Sequence, residues 1–303
     1  MMKRNLMKGS VIPRYSGLPT VLKENGYYNL FFMTHEGQYD NMNAFFRTNG
    51  YDEVFSQEDY PADKVVNSFG VQDDFLYDYA IPVLNQRAAT GQPFFATLLS
   101  ISNHPPYVIP PFFHPKTSEP ETQIVEYADW ALRQFFEEAR KQPWFDNTIF
   151  VLEGDHGKLV GDAECELPES YNHIPLMIYS SRIQPEEKTT FGGQVDIQPT
   201  ILGLLNIDYL QNNFGVDLLK EERPCMFYTA DNMVVGRNDT LLYLYNYETQ
   251  QELTYDIGNG KLNAVPMDDS FLPLKEYSFS MLQSAEFLVK HGKTLNSIPF
   301  TQQ

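Results

Sequence analysis

A carboxylate and an imidazole stand side by side in Glu153-Gly154-Asp155-His156-Gly157, bracketed by glycines. Oxygen and nitrogen donors this close in the chain can bind one divalent cation together. The glycines allow a sharp turn and the near approach of a substrate. A bare Asp-His pair is more often a capped turn in which the aspartate bonds its own backbone. His104 lies in Ser102-Asn103-His104-Pro105-Pro106-Tyr107, and His35 in Thr34-His35-Glu36-Gly37, followed by Tyr39-Asp40-Asn41. With His156, three of the six histidines therefore stand directly after apolar runs. That pattern is divided between one shared site and three separate structural roles. His173, in Tyr171-Asn172-His173-Ile174-Pro175, precedes an apolar run, and stacking on Tyr171 or Pro175 is its simpler account. His114, among prolines, and His291, near the C-terminus, carry no expected function.

The apolar runs are residues 27–33 (YYNLFFM), 95–101 (FATLLSI), 148–152 (TIFVL) and 176–179 (LMIY). Short, aromatic and branched, they predict buried strands of a mostly parallel sheet. Helical patterns fall between them: 18–25, stopped by Gly26; 73–89, ending near Gly91; 122–141, stopped by Pro143; and 198–205, with Pro199 in its first turn. The 122–141 segment places Ile124, Ala128, Ala131, Leu132, Phe135 and Phe136 on one stripe. Strand–helix alternation predicts an α/β fold with helices on both faces of the sheet. Ligands of such sheets sit at the carboxyl ends of the strands, where these histidines fall. The tail differs: 240–247 and 252–256 predict an antiparallel hairpin, and 270–291 a closing helix. The expected division is an α/β domain over residues 1–220 and a C-terminal α+β subdomain over 221–303.

Composition narrows the partners. Of 303 residues 42% are hydrophobic, too many for a disordered chain. Twenty-two basic against 40 acidic side chains give a net charge of −18, which disfavours nucleic acid as a partner. A phosphate-bearing substrate would need a metal or local donors to offset that field. Two cysteines, Cys165 and Cys225, exclude a disulfide framework and a four-cysteine zinc site, and leave one bridge open. No apolar stretch reaches the ~20 residues of a spanning helix. The basic start at residues 1–8 lacks the apolar core of a signal peptide.

The order of the segments resembles the catalytic domain of lipoteichoic acid synthases and related phosphoglycerol transferases, within the sulfatase branch of the alkaline phosphatase superfamily. The series begins at Ser16-Gly17-Leu18-Pro19-Thr20-Val21-Leu22, continues through the His35 loop, Asn49-Gly50-Tyr51-Asp52, Ser102-Asn103-His104-Pro105 and Asp146-Asn147-Thr148, and reaches Gly154-Asp155-His156-Gly157. Asn172-His173-Ile174-Pro175, Gln194-Val195-Asp196-Ile197-Gln198-Pro199-Thr200 and Phe214-Gly215-Val216-Asp217-Leu218 complete it. Each motif is weak alone; the ordered series is specific.

The resemblance implies an alkaline-phosphatase-like fold and one divalent metal, manganese first, with zinc, magnesium or calcium as alternatives. Asp155 and His156 would be metal ligands. His104 would contact the substrate phosphate or leaving group, His35 would line the headgroup pocket, and His173 would assist phosphoryl transfer. The implied mechanism is a two-step displacement in which a metal-activated threonine forms a covalent phospho-enzyme. The family's nucleophile and its other metal carboxylate lie before the Ser16 match. Thr20 falls inside the first expected helix and is not promoted to that role. The expectation is therefore an N-terminally truncated catalytic domain, inactive alone and weak for manganese, from a membrane-anchored parent on the extracytoplasmic face of the cytoplasmic membrane. Where the synthases carry Trp-Asn-Arg, this chain has Asn41-Met42-Asn43-Ala44, which puts the glycerol-phosphate headgroup in doubt. Asp40 and Asn41 would bind another polar headgroup of an anionic lipid or glycan, or Asn41 would cap the next helix. The alternatives are a sulfatase, although neither cysteine lies in a Cys-x-Pro-x-Arg setting, and a catalytically silent glycan- or anion-binding module.

Overall fold

A computed structural model describes residues 12–159 and 161–295. The basic start at residues 1–8 lies outside them. The chain divides into two compact units, residues 3–148 and 149–303. The division expected at residue 220 falls inside the second unit.

In the first unit the order is α1 (Leu18–Glu24), β1 (Tyr28–Met33), α2 (Met42–Thr48), β2 (Glu53–Phe55), β3 (Val65–Asn67), β4 (Gly70–Val71), α3 (Asp73–Ala89), β5 (Phe94–Leu99) and α4 (Pro120–Ala139). β1 is the centre of a parallel sheet ordered β2-β1-β5, with Phe31 opposite both Val54 and Thr97. Alternation along β1 sends successive side chains to opposite faces, and both faces are apolar. Phe31 stacks on Phe46 of α2 at 3.9 Å and meets Tyr51 edge-on. Phe32 stacks on Phe55, which meets Tyr79 of α3. This double cover explains why β1 is a continuous apolar run rather than an alternating one. α3 packs on α4, whose buried stripe is Ile124, Tyr127, Ala131, Phe135 and Ala139. Tyr127, absent from the expected stripe, is buried because its hydroxyl donates to Asp74 at 2.5 Å, so its polar tip has a partner.

The second unit contains β6 (Phe150–Glu153), β7 (Leu176–Tyr179), α5 (Ile197–Leu204), β8 (Met226–Ala230), β9 (Met233–Arg237), β10 (Leu241–Asn246), β11 (Gln251–Asp256), β12 (Asn263–Ala264) and α6 (Leu272–Lys290). β6 and β7, expected as buried parallel strands, pair antiparallel with each other, and Leu176, Met177 and Tyr179 are exposed. The expected hairpin is the middle of a five-stranded antiparallel sheet ordered β12-β11-β10-β9-β8. One face of it carries Met233, Val235, Leu242, Leu244 and Tyr255. Tyr243 instead joins Phe271 and Leu274 at the start of α6. Cys165 and Cys225 are both free thiols. Among the described residues no helix is long and apolar enough to cross a membrane.

Candidate active site

The expected residues fall into two groups, one in each unit. In the second unit β6 delivers the chain into Gly154–Gly157. Gly157 is required because a Cβ there would lie 2.0 Å from the Ser170 carbonyl oxygen. That close approach lets the Gly157 amide donate to the Tyr171 carbonyl at 2.9 Å, which ties the Asp155-His156 loop to the 169–173 turn. Within that turn the His173 amide donates to the Glu169 carbonyl at 2.8 Å. From the other side, Gln194 Nε2 donates to the carbonyls of Gly154 and Asp155 at 3.2 and 3.0 Å. Asp155, His156 and His173 thus sit on segments bonded to one another, and all three side chains are exposed.

The pair itself is defined by its hydrogen bonds. The His156 amide donates to Asp155 Oδ1 at 2.9 Å, so the aspartate bonds the next backbone amide, one residue on rather than the two of an Asx turn. His156 Nδ1 lies 2.7 Å from the Gly157 carbonyl oxygen, which can only accept, so Nδ1 carries a proton. In the neutral ring Nε2 then keeps its lone pair, and this nitrogen lies 3.6 Å from Asp155 Oδ2. Two acceptors this close repel unless a proton or a cation lies between them. Bonds of about 2.1 Å at the tetrahedral angle would place two donors about 3.4 Å apart, so the pair fits one divalent cation. A backbone carbonyl fixing the far nitrogen is also the usual arrangement for a ligating histidine. Burial, and then the charge of Asp155, push the Glu153 carboxyl above the ordinary carboxylate value. Among the described residues no third His, Cys, Asp or Glu joins the pair.

In the first unit His35 follows β1 and is buried, with 3% exposure. Its Nδ1 bonds the Glu36 carbonyl at 3.1 Å, and its ring lies 4.7 Å from Tyr39. His104 follows β5 and is exposed, with Nδ1 bonded to the Pro105 carbonyl at 2.7 Å and the ring 4.3 Å from Phe69. The β3–β4 hairpin joins the two histidines. Phe69 lies against His104, and Gly70, at φ +89°, presses its backbone on Thr34 and His35 where a Cβ would lie 1.7 Å from the Thr34 carbonyl oxygen. A shallow cleft between Phe69, Gln72, Ser102, His104 and Val108 opens beside the His104 ring.

Asp40 and Asn41 have φ of 48° and 62°, left-handed values that non-glycine residues adopt at a cost. Asn41 stands at the N-cap of α2 without a side-chain capping bond, so capping does not explain its conformation. Glu58 was not legible as part of this loop. Its carboxylate accepts from the Gly37 amide at 3.1 and 3.3 Å. Desolvation opposes ionisation of Glu58, but bonds from Ser56 and from its own and the Gly37 amides, with the nearby His35 charge, hold its carboxyl below the usual range. Phe69 was also missed, and Gln194, quoted within the Gln194–Thr200 motif, was given no role. Asn67-Ser68-Phe69-Gly70 is a turn signature that could have pointed to Phe69.

The sulfatase family model matches residues 3–207, so the chain belongs to the sulfatase family. Lipoteichoic acid synthase 1 of Bacillus subtilis (strain 168) is 26% identical over 270 residues, covering 82% of this chain and 40% of that protein. The chain therefore spans less than half the length of this relative. Among solved structures, a protein of the alkaline phosphatase superfamily from Vibrio parahaemolyticus superposes with a TM-score of 0.84 at 27% identity, covering 97% of this chain and 73% of that one. The lipoteichoic acid synthase LtaP from Listeria monocytogenes shares the fold, with a TM-score of 0.76 at 21% identity over 93% of this chain and 74% of that one.

Proposed function

We propose that this chain carries metal- and phosphate-binding parts of a phosphoryl-ester transferase or hydrolase of the sulfatase family. Its substrate class would be phosphoglycerol or a related headgroup of an anionic lipid or glycan at the outer face of the cytoplasmic membrane. The observation that carries the proposal is the exposed Asp155-His156 pair, with the imidazole Nε2 3.6 Å from a carboxylate oxygen. Family membership and the likeness to lipoteichoic acid synthase 1 support the phosphoryl chemistry. A divalent cation held there would neutralise charge on the transferring group and acidify a hydroxyl.

The chain's own residues then divide the remaining work. His104, with Nδ1 tied to Pro105, presents Nε2 to a phosphate oxygen or leaving alkoxide and holds or releases a proton there. His173, in the turn bonded to the Asp155-His156 loop, is the second candidate for proton transfer. His35, Asp40 and Asn41 shape the headgroup side, with the left-handed turn keeping Asp40 and Asn41 fixed in advance of binding.

The test is calorimetric titration of the chain with sn-glycerol 3-phosphate and, separately, inorganic sulfate, each with and without manganese. We expect the phosphate ester to bind more tightly with manganese than without it, and His156→Ala to abolish the difference. Ester affinity indifferent to manganese, or a manganese effect that survives His156→Ala, overturns the proposal. A preference for sulfate would favour the sulfatase reading.

A further inference from the structure

We infer that Gln72 and Asp73, at the start of α3, are positioning residues that fix the His104 loop and the cleft beside it. The inference rests on the phosphate-contacting role proposed above for His104. Asp73 is 2% exposed, yet it is a carboxylate, and its partners show why it is there. Its Oδ1 accepts from the backbone amides of Ile101 and Ser102 at 2.9 and 3.0 Å. The Ile101 carbonyl in turn accepts from the His104 amide at 2.8 Å. One residue therefore separates the buried carboxylate from the backbone that bears the imidazole.

Ser102 closes the other side of the clamp. Its hydroxyl accepts from the Asp73 amide at 3.0 Å and donates to Gln72 Oε1 at 3.0 Å. Gln72 Nε2 then donates to the Val108 carbonyl at 2.9 Å, across the cleft from His104. The two ends of the 101–108 loop are thus held by consecutive residues of one helix start. Helix packing alone does not need a buried acid here, since an exposed acid at the first turn serves the helix dipole equally well. Burying a carboxylate costs free energy unless it is hydrogen-bonded, and both bonds to Oδ1 come from the loop that carries His104.

The experiment compares Asp73→Ala, Asp73→Asn and Gln72→Ala in the full chain by amide hydrogen exchange and by the imidazole NMR signals of His104, each with and without sn-glycerol 3-phosphate. Asparagine keeps an acceptor oxygen at Oδ1, so Asp73→Asn should retain slow exchange at Ile101 and Ser102 and the native His104 signals. Asp73→Ala should speed exchange at those two amides by at least about tenfold and weaken the ester by a similar factor, a loss of about 1.4 kcal/mol in each. If Asp73→Ala does not fold, Gln72→Ala serves instead. It should shift the His104 signals and weaken the ester several-fold while β1 and β5 keep their protection. Unchanged His104 signals and unchanged ester affinity in Gln72→Ala, and in Asp73→Ala where it folds, overturn the inference. If the wild-type His104 signals ignore the ester, the role of His104 fails; exchange at Ile101 and Ser102 still reports whether the clamp exists.

Discussion

Replacing Arg223 by methionine should unfold the second unit more readily and loosen the loop that bears Asp155 and His156. Arg223 is 6% exposed and Asp196 0%, and they form a buried ion pair. Arg223 Nε donates to both Asp196 oxygens at 2.9 and 2.8 Å, and its other nitrogens reach the Phe214 carbonyl and the Tyr277 hydroxyl. Asp196 also accepts from the amides of Gly193 and Val216, both at 2.8 Å. Two amide donors would remain for a carboxylate that has lost its counter-charge. Breaking one side of such a pair costs about 3–5 kcal/mol, whereas replacing both partners by apolar residues is often neutral. Asp196 ends the short turn 194–196 whose first residue, Gln194, holds Gly154 and Asp155. Urea denaturation followed by circular dichroism should show the lower midpoint in Arg223→Met, with part of the loss recovered in Asp196→Leu/Arg223→Met, which removes the lone charge but leaves the Gly193 and Val216 amides without their acceptor. A loss under about 1 kcal/mol in the single variant would refute the reasoning, because the pair would then not be what holds the turn.

Two further outcomes follow from the same geometry. Gly157→Ala should detach the Asp155-His156 loop from the Ser170–Tyr171 backbone, because its Cβ would lie 2.0 Å from the Ser170 oxygen; faster exchange of the residue 157 amide would show it, and unchanged exchange would count against it. Burial, despite bonds from Ile101 and Ser102, raises the Asp73 carboxyl above its ordinary value of 3.8, so the folded chain holds this proton more tightly than the unfolded chain does. Its contribution to stability is complete below pH 3.8 and declines as pH rises through the raised folded value. Asp73→Asn should therefore be more stable than wild type at neutral pH, with the advantage shrinking toward acid; a constant difference in melting temperature between pH 4 and 7 would contradict it.

Much of the fold was legible where local chemistry and tertiary packing agree. α3 begins and ends as the sequence predicts, with acids at its start and Gly91 beyond its end, even though Pro82 lies inside it. α4 begins two residues earlier than expected because Pro120 occupies its first turn. The apolar run of β1 correctly announced burial on both faces. Strand direction was not legible: runs as short as residues 150–153 and 176–179 carry no sign of whether a neighbour runs parallel or antiparallel. β8 and β9 were overlooked, although Asp231 and Asn232, both at positive φ, form the two-residue turn that favours a hairpin. At the site, residue types pointed to Asp155, His156, His104 and His35, since imidazoles beyond strands are conspicuous. The residues that hold those loops, such as Asp73, Gln194 and Glu58, look like ordinary surface polar residues until long-range pairing brings them to their partners.

Whether the Asp155 carboxylate and the His156 imidazole share a cation is read by electron paramagnetic resonance of manganese titrated into the chain. One weakly bound manganese per chain is expected, lost on replacing either Asp155 or His156 by alanine while the circular dichroism spectrum is unchanged. Manganese bound with equal affinity in Asp155→Ala, His156→Ala and wild type would contradict it.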